Sequence, residues 1–184
     1  GTQILRTACH FLRSLSQAGH SGIKVAVNLS VIQLLDSAFV DTVRQVLGET
    51  GAAAADLELE ITESVIADNF SQINTVLQTL KALGVQAALD DFGKGYSSFI
   101  RLSELQVATL KIDRYFINTI STAGYSDSIT GSIIAMAHQI GLRVVAEGVE
   151  QTAQKEFLRA SGCDIMQGYL FSRPVPEQEA GSLL

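Results

Sequence analysis

The sequence contains little cysteine, no excess of positive charge and no long apolar run. The two cysteines, Cys9 and Cys163, lie far apart, so the chain has neither a disulfide framework nor the spacing of a cysteine metal site. No apolar run approaches the ~20 residues of a membrane-spanning helix, and no basic and apolar leader opens the chain. These absences predict a cytoplasmic chain with no membrane segment.

The charge balance is acidic. Lys and Arg number 13 and Asp and Glu 19, which gives a formal net charge of −6 over 184 residues. A protein that coats nucleic acid needs a basic face to neutralise phosphates, so we expect no nucleic-acid partner. A small anionic ligand is still allowed. The hydrophobic fraction of 47% is ample for the core of one domain.

Helical and strand patterns alternate along the chain. Stretches of helical period end at a glycine, and a short apolar strand follows. The predicted strands are 24–29, 57–62, 85–90, 108–113, 143–147 and 163–167. The predicted helices include 3–17, one over 71–83 that begins at Ser71, and one before Gly141 that buries the stripe Ile129, Ile133, Met136, Ala137 and Ile140. This alternation favours right-handed βαβ units and a parallel sheet.

Polarity within the strands favours a barrel over an open sheet. In the second strand Leu57 and Leu59 share one face, and Glu58 and Glu60 share the other. An open doubly wound sheet is covered on both faces, so its strands are apolar throughout. The fold class we predict is α/β, a TIM-like (β/α)8 barrel. Since eight strands close such a barrel and about six are predicted, we expect residues 1–184 to form one barrel domain lacking its N-terminal part.

Acidic and amide side chains lie at or next to the ends of four predicted strands: Asn28, Glu60, Asp90, Asp91 and Glu147. Carboxylates packed together raise one another's pKa unless a cation neutralises them. Oxygen ligands without His or Cys are those that Mg²⁺, Mn²⁺ and Ca²⁺ prefer, and an Asp-Asp pair can serve two ions. The alternative is that these acids are exposed loop residues.

Lys111 lies on the polar face of its predicted strand. In an acidic barrel mouth its ammonium can orient a water molecule or stabilise charge that develops on a phosphate. The alternative is an exposed lysine near a strand end, which is the commoner situation for this residue type.

Six motifs occur in one order along the chain: Asn28-Leu29-Ser30, Glu60-Ile61-Thr62-Glu63, Asp90-Asp91-Phe92-Gly93 with Gly95-Tyr96-Ser97-Ser98, Lys111-Ile112-Asp113, Glu147-Gly148-Val149-Glu150 and Gln167-Gly168-Tyr169. Together they closely resemble the EAL-domain cyclic di-GMP phosphodiesterases of bacteria. The resemblance implies a modified (β/α)8 barrel that hydrolyses cyclic di-GMP to linear pGpG. The Glu-Ala-Leu tripeptide that names the family does not occur in this sequence, and we expect it in the missing N-terminal strands.

The resemblance also implies two bound ions, Mg²⁺ or Mn²⁺. The first would be held by Asn28, Glu60 and Asp90. The second would be served by Asp91, with Asp90 and Glu147 nearby.

Further roles follow from the same resemblance. Lys111 would hold or polarise the attacking water, and Glu147 would share in catalysis. Asp113 and Gln167 would bind the substrate. Glu63 would anchor the loop over residues 91–98, which couples the metal site to a dimer interface.

Partners and alternatives complete these expectations. The resemblance implies cyclic di-GMP as substrate, a homodimer, and fusion to or regulation by sensory or GGDEF-type domains. A non-catalytic cyclic di-GMP receptor or interaction module is the alternative function. An unrelated two-metal barrel enzyme is a more distant one.

Overall fold

A computed structural model describes residues 1–93, 99–120 and 127–183 of the chain. The helices are α1 (Thr2–Gln17), α2 (Val31–Leu34), α3 (Phe39–Thr50), α4 (Glu63–Ala82), α5 (Phe99–Glu104), α6 (Arg114–Thr119), α7 (Asp127–Gln139), α8 (Thr152–Ala160) and α9 (Glu177–Ala180). The strands are β1 (Val25–Asn28), β2 (Leu57–Thr62), β3 (Gln86–Phe92), β4 (Thr109–Ile112), β5 (Arg143–Glu147) and β6 (Ile165–Gln167). Within these ranges no helix is both long and apolar enough to cross a membrane.

The six strands form one sheet in sequence order, β1-β2-β3-β4-β5-β6. The pairs β1–β2, β4–β5 and β5–β6 are parallel, as right-handed βαβ units require. This α/β half-barrel of six parallel strands confirms the predicted fold class, an incomplete TIM-like barrel.

Two of the predicted strands, 57–62 and 143–147, have the predicted bounds. The last strand is shorter than predicted, Ile165–Gln167. The amide of Cys163 still donates to the carbonyl of Leu158 at 2.9 Å, so this residue belongs to the turn that ends α8. The glycines predicted to end helices have positive φ angles, as at Gly84 with 91°.

The predicted start of α4 at Ser71 is wrong. The helix begins at Glu63 and contains one non-helical residue, Asn69, with φ −131° and ψ 31°. The two helical pieces therefore meet at Asn69, two residues before the predicted cap. Asparagine competes with the backbone for local hydrogen bonds, which makes it a common residue at such breaks.

The chain divides into two compact units, and the first comprises residues 1–61, 65–88 and 175–184. In this unit α1 buries one stripe at helical spacing, Leu5, Cys9, Leu12 and Leu15. Its fully buried large side chains are Leu34, Leu57, Leu59, Ile61, Ile73, Leu77 and Leu80. An ion pair between Arg6 and Glu49 joins α1 to α3 at the surface.

The second unit comprises residues 62–64 and 89–174. Its fully buried large side chains are Leu89, Leu110, Ile112, Ile117 and Ile134. The predicted buried stripe of α7 is wrong at Ile129, which is 56% exposed. The prediction is confirmed at Ala137, which is fully buried. Thr130 and Ile134 are also buried, and the hydroxyl of Thr130 donates to the carbonyl of Phe116 on α6.

A His–Asp pair fixes the end of α7 to the segment before β6. One carboxylate oxygen of Asp164, Oδ2, lies 2.9 Å from Nε2 of His138 and accepts a hydrogen bond from the amide of Val144 at 2.8 Å. Partial burial by itself would raise the pKa of the Asp164 carboxyl. The hydrogen bonds from His138 and Val144 outweigh this, with help from the positive charges of His138 and Arg143, and lower the pKa below its ordinary value.

We expect Asp164→Asn to lower the free energy of unfolding near neutral pH by about 1 kcal/mol, the net value of one hydrogen bond. The effect stays small because the two side chains are each 38% exposed and screened by solvent. A carboxyl with a lowered folded-state pKa stabilises the fold above its unfolded pKa. That stabilisation is lost as the pH falls through the folded value, so wild type and variant should converge below about pH 4.

Denaturant unfolding at a series of pH values measures this difference. Glu156→Gln, which removes an exposed carboxyl from α8, is the control and should change little at any pH. A difference between Asp164→Asn and wild type that is the same at pH 3 and pH 7 would contradict the role assigned to the Asp164 charge.

Candidate active site

A buried lysine joins two of the predicted acidic residues. Lys111 on β4 is only 6% exposed, and its Nζ lies 2.7 Å from Oε1 of Glu147 and 3.2 Å from Oδ1 of Asp90. Because β4 lies between β3 and β5 in the sheet, one side chain reaches the carboxyl ends of both neighbours. A buried charge is tolerated only when it is paired, and here one ammonium offsets two carboxylates.

Asp90 and Asp91 form a sharp corner near the end of β3. Asp91 has φ 56°, and among the described residues it is the one non-glycine residue with a positive φ. The left-handed conformation costs an L-residue energy, and such strain is concentrated at functional sites. The amide of Asp91 donates to Oδ1 of Asp90 at 2.9 Å, so this oxygen serves both the corner and Lys111.

Glu63 holds the backbone just beyond this corner. It is the first residue of α4 and is buried, and its Oε2 accepts a hydrogen bond from the amide of Gly93 at 3.0 Å. The glycine has φ 101°, and a Cβ on it would collide with the ring of Phe116. Residues 94–98 of the loop that Glu63 was expected to anchor lie outside the described residues.

Asn28 and Glu60 come together in the first unit. They are direct partners in the parallel pairing of β1 with β2, so their side chains leave the sheet on the same face. The amide of Leu29 donates to the carbonyl of Glu60 at 2.8 Å and keeps the two strand ends aligned. Glu60 is buried and Asn28 is exposed.

Asp113 caps a helix. Its Oδ1 accepts a hydrogen bond from the amide of Tyr115 at 2.8 Å, which satisfies a free N–H group in the first turn of α6. The residue is buried and borders a cleft of about 250 Å³. Its position two residues after Lys111 therefore links the start of α6 to the strand that carries the ammonium.

Gln167 borders the same cleft. It pairs with Glu147 in the register of β5 with β6, and its side chain is exposed. Besides these two residues and Asp113, the polar lining includes Arg114, Asn118, Glu150 and Tyr169. The sequence analysis did not predict Asn118 and assigned no role to Arg114 or Tyr169. All three residues follow shortly after the ends of β4 or β6, and this position in the sequence could have identified them.

The donor atoms match hard divalent cations in type. The predicted ligands offer carboxylate and amide oxygens, which suit Mg²⁺, Mn²⁺ or Ca²⁺ better than zinc or copper. Among residues 1–93, 99–120 and 127–183, however, no three His, Cys, Asp or Glu side chains form a cluster that could hold a metal ion. The described acids instead meet in smaller groups, Asp90 and Glu147 around Lys111, and Glu60 beside Asn28.

This chemistry suits the transfer of an anionic group. A desolvated ammonium in a fixed position stabilises developing negative charge more than it would in water. The adjacent carboxylate of Glu147 can accept a proton, because it lies at the rim of the cleft and remains partly accessible. The arrangement therefore provides a positive group and a base on adjacent strands.

Comparison with known proteins identifies the family. The family model described as EAL domain matches residues 1–174. The cyclic di-GMP phosphodiesterase NbdA of Pseudomonas aeruginosa is 47% identical over 173 residues, which are 94% of this chain and 22% of that protein. The chain spans about a fifth to a quarter of the length of the curated relatives it matches.

Solved structures give the same result. The MucR phosphodiesterase of Pseudomonas aeruginosa in complex with cyclic di-GMP superimposes with a TM-score of 0.92 at 39% identity, over 98% of this chain and 73% of that one. BlrP1 of Klebsiella pneumoniae in complex with manganese and cyclic di-GMP gives a TM-score of 0.83 at 29% identity, over 96% of this chain and 45% of that one. The fold, the ordered motifs and these matches lead to one conclusion: the chain belongs to the EAL domain family.

Proposed function

We propose that this chain is the catalytic module of a cyclic di-GMP phosphodiesterase that hydrolyses cyclic di-GMP to linear pGpG. Members of its family are phosphodiesterases of this kind, as the name of NbdA states. The observation that carries the proposal is the buried ammonium of Lys111 between the carboxylates of Asp90 and Glu147. A buried positive group beside a base suits attack on a phosphodiester.

Two divalent cations, Mg²⁺ or Mn²⁺, are part of this proposal. Asn28, Glu60 and Asp90 would hold the first, and Asp90, Asp91 and Glu147 the second. Such cations would supply a water of lowered pKa and neutralise charge on the phosphate. The oxygen-only chemistry of these side chains and the manganese in the BlrP1 complex support the assignment.

The chain's own residues would perform the following steps. Lys111 orients the attacking water and offsets the charge that develops on the phosphate oxygens. The carboxylate of Glu147, 2.7 Å from the ammonium, accepts the proton that the water loses. The new P–O bond forms as the bond from phosphorus to the 3′ oxygen breaks; the leaving 3′ oxygen takes a proton from solvent water to become the 3′ hydroxyl of pGpG, and Glu147 returns its proton to solvent.

The cleft of about 250 Å³ would bind one end of the substrate. The amides of Gln167 and Asn118 can hydrogen-bond a base or ribose, and Asp113 would bind the substrate from the same cleft. The ring of Tyr169 is half exposed, with the guanidinium of Arg173 stacked 4.7 Å from its centroid. An aromatic face and a cation beside it suit a nucleotide.

The larger protein would place this module under control in the bacterial cytoplasm. The curated relatives are four to five times longer than the match, which leaves room for sensory or GGDEF-type domains. A homodimer of the module and the loop held by Glu63 would pass a signal to the site. A non-catalytic cyclic di-GMP receptor is the alternative outcome of the test below.

We expect the chain, expressed with the sequence that flanks it in its gene, to convert cyclic di-GMP to pGpG when Mn²⁺ or Mg²⁺ is present. EDTA should stop the reaction, since no described residue replaces a cation as Lewis acid. Chromatography of the products measures turnover, and calorimetry measures binding. Absence of turnover in the flanked protein would reject the phosphodiesterase, and binding without turnover would establish the receptor.

Substitutions at Lys111 and Asp90 should separate charge stabilisation from cation binding. Lys111→Met should lower kcat by about 100-fold, because one fixed donor to a developing anion is worth about that factor. Asp90→Asn should weaken Mn²⁺ binding as well as activity, because it removes a charged ligand.

The matched controls are Lys81→Met, on the exposed side of α4, and Asp41→Asn, on the exposed side of α3. Steady-state kinetics and Mn²⁺ titration provide the two readouts. If Lys111→Met keeps its kcat, or if Asp90→Asn binds Mn²⁺ as tightly as wild type does, the corresponding residue does not belong to the site.

The hydrogen bond from Gly93 to Glu63 leads to one more expectation. Glu63→Ala should accelerate hydrogen exchange at the Gly93 amide and lower turnover, because the corner beyond Asp90 loses its acceptor. Glu63→Gln retains an acceptor oxygen, so its turnover and the protection of the Gly93 amide should decrease less than in Glu63→Ala. If both variants turn over substrate as wild type does, Glu63 has no role in holding the loop for catalysis.

A further inference from the structure

A buried glutamine lies behind the cleft. Gln154 on α8 is 2% exposed, and both ends of its amide are used. Its Oε1 accepts hydrogen bonds from the amides of Glu150 at 2.8 Å and Gln151 at 3.0 Å, and its Nε2 donates to the carbonyl of Ile117 at 3.1 Å. Of these three hydrogen bonds, only the one from the Gln151 amide belongs to the capping box at the start of α8. The hydrogen bonds with Glu150 and Ile117 connect α8 to two other parts of the second unit.

The first connected part is the turn that follows Glu147. Val149 is fully buried, its amide donates to the carbonyl of Gln167 at 3.0 Å, and its carbonyl accepts from the amide of Leu170 at 3.0 Å. A Cβ on Gly168 would collide with the backbone of Val149, so the end of β6 lies directly against this turn. Backbone contacts therefore hold the turn on one side, and Gln154 holds it on the other.

The second connected part is α6, which forms the opposite wall of the cleft. Its first residue, Arg114, lies so close to the turn that a Cβ on Gly148 would be 2.6 Å from the Arg114 Cβ. Its buried residue Ile117 presents the carbonyl that Gln154 binds. Because α6 begins at Asp113, two residues after Lys111, its position is tied to the strand that carries the ammonium.

We infer that Gln154 is a positioning residue, whose side-chain amide sets the distance between α6 and the turn after Glu147 and so the width of the cleft. The inference rests on the proposed function for its kinetic consequence. Gln154 does not line the cleft and acts through Glu150 and Ile117. A buried amide with three hydrogen bonds is suited to this role, because each lost hydrogen bond leaves a buried polar group without its partner.

Three variants test the role in the protein with its natural flanking sequence. Gln154→Met keeps the side-chain length and removes all three hydrogen bonds. Gln154→Glu keeps an acceptor for the two amides of the turn and, when ionised, removes only the donor to Ile117. Leu158→Ala is the matched control, because Leu158 is fully buried on the same face of α8 and does not line the cleft, so its truncation should destabilise the fold.

The readouts are kcat and KM for cyclic di-GMP, the melting temperature, and hydrogen exchange at individual amides. Gln154→Met should lower kcat/KM about tenfold, the lower end of the range for residues that support a site from behind, and mainly through KM. Gln154→Glu should also raise KM, while the amides of Glu150 and Gln151 stay protected. Leu158→Ala should lower the melting temperature and leave KM unchanged.

The inference is overturned if both Gln154 variants keep KM within about twofold of wild type while they melt earlier, as the leucine variant does. If Gln154→Met does not fold, the KM and melting temperature of Gln154→Glu alone decide the inference by the same criterion. If wild type itself does not hydrolyse cyclic di-GMP, the proposed function fails, and hydrogen exchange alone decides the inference. Faster exchange in Gln154→Met at Glu150 and Gln151 together with α6 then supports it, and unchanged exchange rejects it.

Discussion

The ammonium of Lys111 is the constraint on which the site depends. Two carboxylates, Asp90 on β3 and Glu147 on β5, lie on either side of β4 near the carboxyl ends of their strands, and neither is fully hydrated. Their mutual repulsion would oppose the fold unless a positive group lay between them. The central position of β4 between β3 and β5 provides that group from within the chain. Charge neutralisation and the proposed catalytic chemistry thus use the same atoms.

The strain at Asp91 is consistent with this arrangement. Aspartate adopts the left-handed conformation more readily than most L-residues, and surrounding contacts stabilise it further. Here the Asp90 carboxylate holds its amide, and Glu63 holds the backbone two residues later. The same carboxylate oxygen that accepts from Asp91 also accepts from Lys111, so the corner and the ammonium share one anchor.

Much of the fold could be predicted from the sequence because it rests on local period. Strands with alternating polarity, such as Leu57–Thr62, were located to the residue, and parallel strand ends place their polar residues at one edge by geometry alone. Prediction failed where a tertiary contact decides. Ile129 was assigned to the core by spacing but is exposed, whereas its polar neighbour Thr130 is buried and hydrogen-bonded to α6. The start of α4 was also missed, because the helix begins at Glu63, before the apolar repeat on which the prediction rested, and continues past the break at Asn69.

In the candidate site, too, the sequence predicted what depends on local pattern and missed what depends on tertiary contacts. The strand-end residues were identified from the sequence, while Gln154 was not. Its importance comes from Ile117, which is 37 positions away and belongs to another element, and a local pattern shows only a helix cap. Asp113 was predicted to bind substrate, and the structure adds its role as the cap of α6.

The proposed function depends on two divalent cations bound by oxygen ligands near the carboxyl ends of these strands. An anomalous difference map from crystals of the flanked protein grown with Mn²⁺ and cyclic di-GMP tests it most directly. The account predicts two manganese peaks, one bound by Asn28, Glu60 and Asp90 and one by the Asp90–Asp91 corner with Glu147. A map with no manganese at these side chains would contradict it.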